Sequence, residues 1–188
     1  VPVNTLQEFI AWSKKQNGLF FGTPGPGTVG HFGAYLFAES TGSQVEPVHF
    51  RTTGDQVTAL LSGDIHAQFF SYAAAAPLIK SGRIKALITT SPARAKMFPD
   101  VPTSLEAGYS KLQFTSWYGV FAPVGTSSQI LDKLSTEIAR VARLPESQAK
   151  YEESGLRVTG TSREDFQKIV SEDASRWAKV VSDSGFKS

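Results

Sequence analysis

The sequence predicts an α/β fold: one parallel-sheet domain with helices on both faces, followed by an incomplete second α/β domain. Three observations predict it. Over residues 1 to about 95, short apolar runs alternate with helical stretches across short glycine- and serine-bearing joins. Strands separated by single helices form right-handed βαβ units and hence a parallel sheet. The C-terminal third is rich in helical periodicity but poor in strands, too poor for a doubly wound sheet of its own.

Each element has a local cause. Thr5 and Glu8 have capping-box spacing, which starts a helix near residue 6 that runs to Asn17 and stops at Gly18. Residues 19–22 read as a buried strand. Thr28 opens a helix whose Phe32, Tyr35 and Leu36 recur at helical spacing, closing near Gly42. Residues 45–50 form the second strand, 55–61 a helix, Ser62-Gly63-Asp64 a turn, 65–70 the third strand, 73–80 a helix and 84–90 a fourth strand.

The stretch from Ser91 to Pro123 contains Pro92, Pro99 and Pro102 and reads as a crossing segment, with a helical piece at 104–107 and a strand-like run at 114–121. Ile130, Leu131, Leu134, Ile138 and Val141 then mark one helix, and Pro145 begins another that ends at Gly155. A short strand at 156–158 follows. Thr161 and Glu164 repeat the capping-box spacing before a long helix carrying Phe166, Ile169, Val170, Trp177, Val180 and Val181.

Composition narrows the function. Of 188 residues, 40% are hydrophobic and 19% charged, the balance of a chain that folds. Nineteen Lys and Arg face seventeen Asp and Glu, a net charge of +2 with no basic stripe, which speaks against nucleic acid as a partner. The longest apolar stretch, residues 73–79, is far shorter than the roughly 20 residues of a bilayer span. Cysteine is absent, removing disulfides and thiol chemistry together. The chain begins at Val1 with no charged-then-apolar leader, as in a processed or shortened chain.

Ligands of open α/β sheets sit outside the carboxyl ends of the strands. The first such loop, Gly22-Thr23-Pro24-Gly25-Pro26-Gly27-Thr28, joins a strand directly to a helix. Its glycines allow close backbone approach, and the free amides of the helix's first turn attract an oxyanion. Pro24 and Pro26 lack amide hydrogens, so the loop is a stiffened support suited to one carboxylate better than a pyrophosphate. The same loop also reads as a tight connection with Thr28 as its cap.

Gly25, Gly27 and Gly30 satisfy G-x-G-x-x-G, which raises a dinucleotide-binding enzyme as the alternative. The second strand ends at Phe50-Arg51, without the acidic residue that an NAD ribose requires, although an arginine there could in principle face a 2′-phosphate. His31, His49 and His66 are spaced 18 and 17 residues apart without clustered carboxylates, so no metal site is expected. H-E-x-x-H and G-x-S-x-G are absent, and neither catalysis nor a cofactor is called for. Arg51 at the second strand's end, and Ser71 and Tyr72 at the third's, are further candidate ligand contacts; Trp117 and Tyr118 lie on the crossing segment.

Several motifs in order carry a family resemblance. Residues 21–31, Val48-His49-Phe50-Arg51-Thr52-Thr53-Gly54, residues 79–87, Phe98-Pro99-Asp100-Val101-Pro102-Thr103, Glu106-Ala107-Gly108, residues 116–123 and Trp177-Ala178-Lys179-Val180-Val181 resemble the Bug (TctC-like) substrate-binding proteins of tripartite tricarboxylate transporters. The resemblance implies a periplasmic-binding-protein-like fold and a non-enzymatic periplasmic receptor. Such a receptor closes two α/β domains over a small organic carboxylate and delivers it to membrane permease subunits. Residues 1–118 would be its ligand-binding domain 2, and 119–188 the C-terminal part of domain 1, whose N-terminal part is absent from this chain. An incomplete domain of that kind is a candidate for self-association.

On this reading the ligand is held by Thr23, Gly25, Pro26, Gly27 and Thr28, with Arg51, Ser71 and Tyr72 fixing its body. The chain departs from many relatives in having Phe50-Arg51 for tyrosine-lysine, and Ser71 and His66 where acidic residues are common. Without a carboxylate at Ser71, an amino-acid ammonium has no partner, so a plain carboxylate is the expected ligand.

Overall fold

The computed structural model of the chain describes residues 1–153 and 155–187. Its contacts divide the chain into two compact units, Val1–Ser116 together with the stretch from Val180 onward, and Trp117–Lys179.

The first unit is built on a three-stranded parallel sheet of order β2-β1-β3, formed by β1 (Leu19–Thr23), β2 (Val45–His49) and β3 (Ala67–Gln68). β1 pairs with β2 along its whole length, from Leu19 opposite Val45 to Thr23 opposite His49. The chain moves to one side of β1 through helix α2 (Val29–Thr41), then crosses to the other through α3 (Thr53–Ser62). Right-handed crossovers in opposite directions put these helices on opposite faces and make the β1/β3 boundary the topological switch point. Helix α1 (Leu6–Ser13) precedes the sheet, with its Thr5–Glu8 capping box formed in both directions. The Phe37 ring makes tilted contacts with both Phe9 and Phe21, its centroid 6.0 Å and 5.1 Å from theirs, and Leu19 is fully buried on the central strand.

β3 is shorter than the expected strand at 65–70, and the cause is local. Phe20 gives its N–H to the Nδ1 of His66, at 3.0 Å, where a longer ladder would use a backbone carbonyl. His66 N–H still donates to Phe20 O at 2.9 Å, but the paired register runs only from Ala67 to Gln68, and β1 ends as the chain enters Pro24, which has no N–H. The strand expected at 84–90 is also absent. Its one ladder contact is the bridge between Thr89 and Thr103, in which Thr89 donates to Pro102 O and accepts from Ser104 N, each at 2.8 Å. The crossing segment takes the backbone partners that a neighbouring strand would have offered. The helical piece at 104–107 is a turn rather than a helix, followed by a 3₁₀ turn at Ser110–Leu112. Helix α4 (Tyr72–Lys80) is capped by Ser71.

The second unit contains α5 (Ser128–Ala142), α6 (Pro145–Glu153) and most of α7 (Arg163–Asp183). The runs at 114–121 and 156–158 form no strands among the described residues, because no neighbouring strand supplies their ladder. Helix α7 is capped by Ser162, whose hydroxyl accepts the Asp165 N–H at 3.1 Å, one residue later than the expected Thr161–Glu164 pair. Phe166 packs edge-on to Trp117 and against Phe121, and the absence of a side chain at Gly119 makes room for its ring. On α5, the stripe of Ile130, Leu134, Ile138 and Val141 is 43–53% exposed, an apolar face without cover among the described residues. Among those residues no helix is long and apolar enough to cross a membrane.

His66 ties sheet pairing to pH. Its ring stacks on Phe20 and meets Trp12 edge-on, and burial lowers its affinity for a proton below the ordinary value near 6.5. The unfolded chain then binds more protons, so stability is fully present above about pH 6.5 and declines as pH falls through the lowered value. Glu106, hydrogen-bonded first by Arg94 and then by the Thr103 amide, is held down to about 2 and stays ionised throughout this window. The midpoint of thermal unfolding is therefore expected to drop between pH 7.5 and pH 5.5, and an unchanged midpoint would count against the imidazole's role.

Candidate functional site

The β1–α2 loop is shaped by glycines that only this residue type accommodates. Gly27 has φ +74°, in the left-handed region. At Gly30 an added Cβ would lie 2.9 Å from Pro24 Cδ, so this glycine serves helix–loop packing. Gly22, on β1, lets Ile65, Gln56 and Gln68 close directly onto the strand.

Within the loop many donors already have internal acceptors. Gly25 N–H donates to Thr23 Oγ1 at 3.3 Å, and Gly27 N–H donates to His31 Nδ1 at 3.1 Å. Thr28 Oγ1 donates to Gly25 O at 2.7 Å and, as the cap of α2, accepts His31 N–H at 3.4 Å. Thr23 is fully buried with its hydroxyl 2.5 Å from His49 Nδ1, so in this conformation it braces the loop from within and does not face solvent. The N–H groups of Thr28, Val29 and Gly30 have no acceptor within the protein among the described residues. These three amides lie at the positive end of α2, where a negative charge is favoured.

The remaining sequence candidates sit at the neighbouring strand ends. Arg51 is exposed two residues beyond β2. Ser71 is exposed and caps α4, its Oγ accepting Ala74 N–H at 3.4 Å. Tyr72 turns away from solvent: its hydroxyl bonds Thr89 Oγ1 and its ring stacks on Phe98, so it ties α4 to the crossing segment. Pro26 is exposed on the loop.

Residue patterning did not mark three polar side chains that the fold brings to this end of the sheet. His49 closes β2 against Thr23. Gln56 is 3% exposed and Gln68 lies on β3, and the Gln56 Nε2 and both Gln68 amide atoms are buried without a partner among the described residues. Both pack beside Gly22 at the switch point, where unsatisfied amides favour a bound water or a polar ligand group. A glutamine at an otherwise apolar strand position was the available sequence signal. A separate groove of about 250 Å³ runs along α2 and β2, lined by His31, Phe32, Tyr35, Val45, Pro47 and Phe186, on the flank of the sheet rather than at the switch point. Among the described residues no group of three or more His, Cys, Asp or Glu is placed to hold a metal ion.

Capping by Thr28 is a testable part of this geometry. Thr28→Ala removes both the acceptor for His31 N–H and the bond to Gly25 O, and is expected to cost about 0.5–2 kcal/mol in urea unfolding. Thr28→Ser keeps the hydroxyl and is expected to retain most of that stability. Equal losses in the two variants would contradict the capping role.

The parallel α/β architecture is that of periplasmic-binding-protein-like proteins, and solved structures of that class match the chain. An R. palustris protein solved with adipate superposes with a TM-score of 0.87 at 29% identity, covering 98% of this chain and 62% of the other. MatC from Rhodopseudomonas palustris, solved with bound malate, gives 0.77 at 28% identity, covering 96% and 63%. The tripartite tricarboxylate transporter family receptor, TctC, matches residues 1–186, and the chain belongs to this family. It is 27% identical to BugT of Bordetella pertussis over 188 residues, all of this chain and 58% of BugT. It is 33% identical over 155 residues to a UPF0065 protein from the gbd 5′ region of Cupriavidus necator, covering 80% of this chain and 47% of that protein. The chain thus spans about half the length of these two relatives.

Proposed function

We propose that this chain belongs to an extracytoplasmic, periplasmic receptor that captures a small organic carboxylate, leaves it chemically unchanged and presents it to the permease subunits of a tripartite tricarboxylate transporter. The observation that carries the reading is the set of unpartnered amides of Thr28, Val29 and Gly30 at the switch point of a parallel sheet. One carboxylate oxygen set on these amides gains charge-assisted hydrogen bonds and the favourable end of the helix dipole. Gly25 and Gly27 join once their internal acceptors yield, and Arg51 and Ser71 stand at the adjacent strand ends to meet the body or far end of the ligand. Adipate and malate in the related structures support a dicarboxylate as the ligand class.

In this reading residues 1–118 form the ligand-binding domain and 119–188 contribute to a second domain whose closure over the ligand is the signal to the permease. The exposed stripe on α5 supports that arrangement, since the longer relatives have additional chain to lay against such a face. Isothermal calorimetry with a panel of mono-, di- and tricarboxylates and amino acids tests the proposal. Saturable heats are expected with the organic acids and none with NADPH; silence across the acids, or a response to NADPH alone, would overturn it.

A further inference from the structure

We propose that His31 is a positioning residue of the carboxylate loop, giving up its hold on the Gly27 amide to the ligand as it takes up a proton. The inference rests on the receptor reading and concerns how that same loop is set.

The two glycine amides of the loop have different internal acceptors, a histidine for Gly27 and a threonine for Gly25. Gly27 N–H goes directly to His31 Nδ1, at 3.1 Å. Gly25 N–H goes to Thr23 Oγ1, at 3.3 Å, and the same hydroxyl lies 2.5 Å from His49 Nδ1. The two imidazoles meet edge to face with centroids 5.1 Å apart, so one loop, one helix turn and one strand end share a single hydrogen-bonded cluster. Only a neutral imidazole nitrogen with its lone pair free can accept the Gly27 N–H. A proton on His31 Nδ1 removes that acceptor, frees the Gly27 amide and turns the nitrogen into a donor beside it.

Without an anion that protonation is disfavoured. His31 lies in the first turn of α2, at the positive end of the helix dipole, and His49 is beside it. Burial and then the charge of His49 lower the His31 affinity for a proton. The other groups around His31 are uncharged at neutral pH: Tyr35 on its own helix, and Ser184 and Phe186 from the C-terminal stretch, the Phe186 ring lying edge-on at 5.5 Å. Arg51, two residues beyond His49, adds a further positive charge to this end of the sheet. A carboxylate placed on the loop reverses the balance, because an adjacent negative charge favours the imidazolium. Binding therefore draws up to one proton from solvent onto His31, and affinity rises as pH falls.

The test is calorimetric titration of the chain with adipate between pH 6 and pH 8, in two buffers of different ionisation enthalpy. The expected result is tighter binding at pH 6, by up to about tenfold per pH unit for each proton taken up, with heats that differ between buffers. His31→Gln, which does not titrate, is expected to flatten the profile. In the ligand-free chain, the Gly27 amide resonance is expected to follow the His31 titration. Binding of constant affinity with buffer-independent heats overturns the coupling and leaves the receptor reading standing. No adipate or malate binding at any pH overturns both.

Discussion

Replacement of Leu19 by alanine is expected to destabilise the sheet-bearing unit by about 2–5 kcal/mol, the range for emptying a large buried aliphatic site. Leu19 is fully buried at the start of β1, the central strand of the sheet, paired on both sides. With three strands, one of them two residues long, the unit has little other sheet to redistribute packing, and the Phe9, Phe21 and Phe37 rings are fixed by one another. Urea unfolding measures the loss directly. A cost below about 1 kcal/mol, outside the usual range for such a truncation, would show that the centre of the core lies elsewhere.

Gly27→Val is expected to reduce carboxylate affinity by about 10- to 100-fold, the consequence of losing one charge-assisted hydrogen bond of about 1.5–3 kcal/mol. The φ of +74° at Gly27 costs a β-branched residue roughly 1–2 kcal/mol or forces the loop out of shape. A side chain there would also point at the Phe186 ring, 3.5 Å from the new Cβ. Circular dichroism should remain unchanged, because the substitution lies outside the strands and helices. Unchanged affinity in a folded variant would remove the loop from the binding account.

The sequence made the order of helices and the position of the anion loop readable, and the reasons are local. Thr5 with Glu8, Thr28, and the glycines at 42 and 63 act through their own backbone, so their caps are visible without knowing the fold. Strands depend on partners that lie elsewhere. The 84–90 run has the right residues for a strand, yet its backbone is taken by Pro102 and Ser104, and the 65–70 run is cut short by one imidazole standing in for a carbonyl. At the α7 start, Ser162 and Thr161 are both competent caps, and composition does not choose between them.

The candidate site divides along the same line. The glycine and proline chemistry of the 22–28 loop is intrinsic to the chain, whereas the directions of Thr23, Tyr72, His49, Gln56 and Gln68 are set by tertiary packing. Thr23, a natural ligand donor by residue type, is turned inward to His49, and Tyr72 is spent on Thr89. Within the loop the donors left without an internal acceptor are backbone amides, which no side-chain pattern can distinguish.

The central claim is that a carboxylate rests on the amides that open α2. A ¹H–¹⁵N titration of the chain with adipate reads those amides one by one. Saturable shifts are predicted at Thr28, Val29 and Gly30, with Gly25 and Gly27 moving together with them; saturation that leaves all five unperturbed would contradict the account.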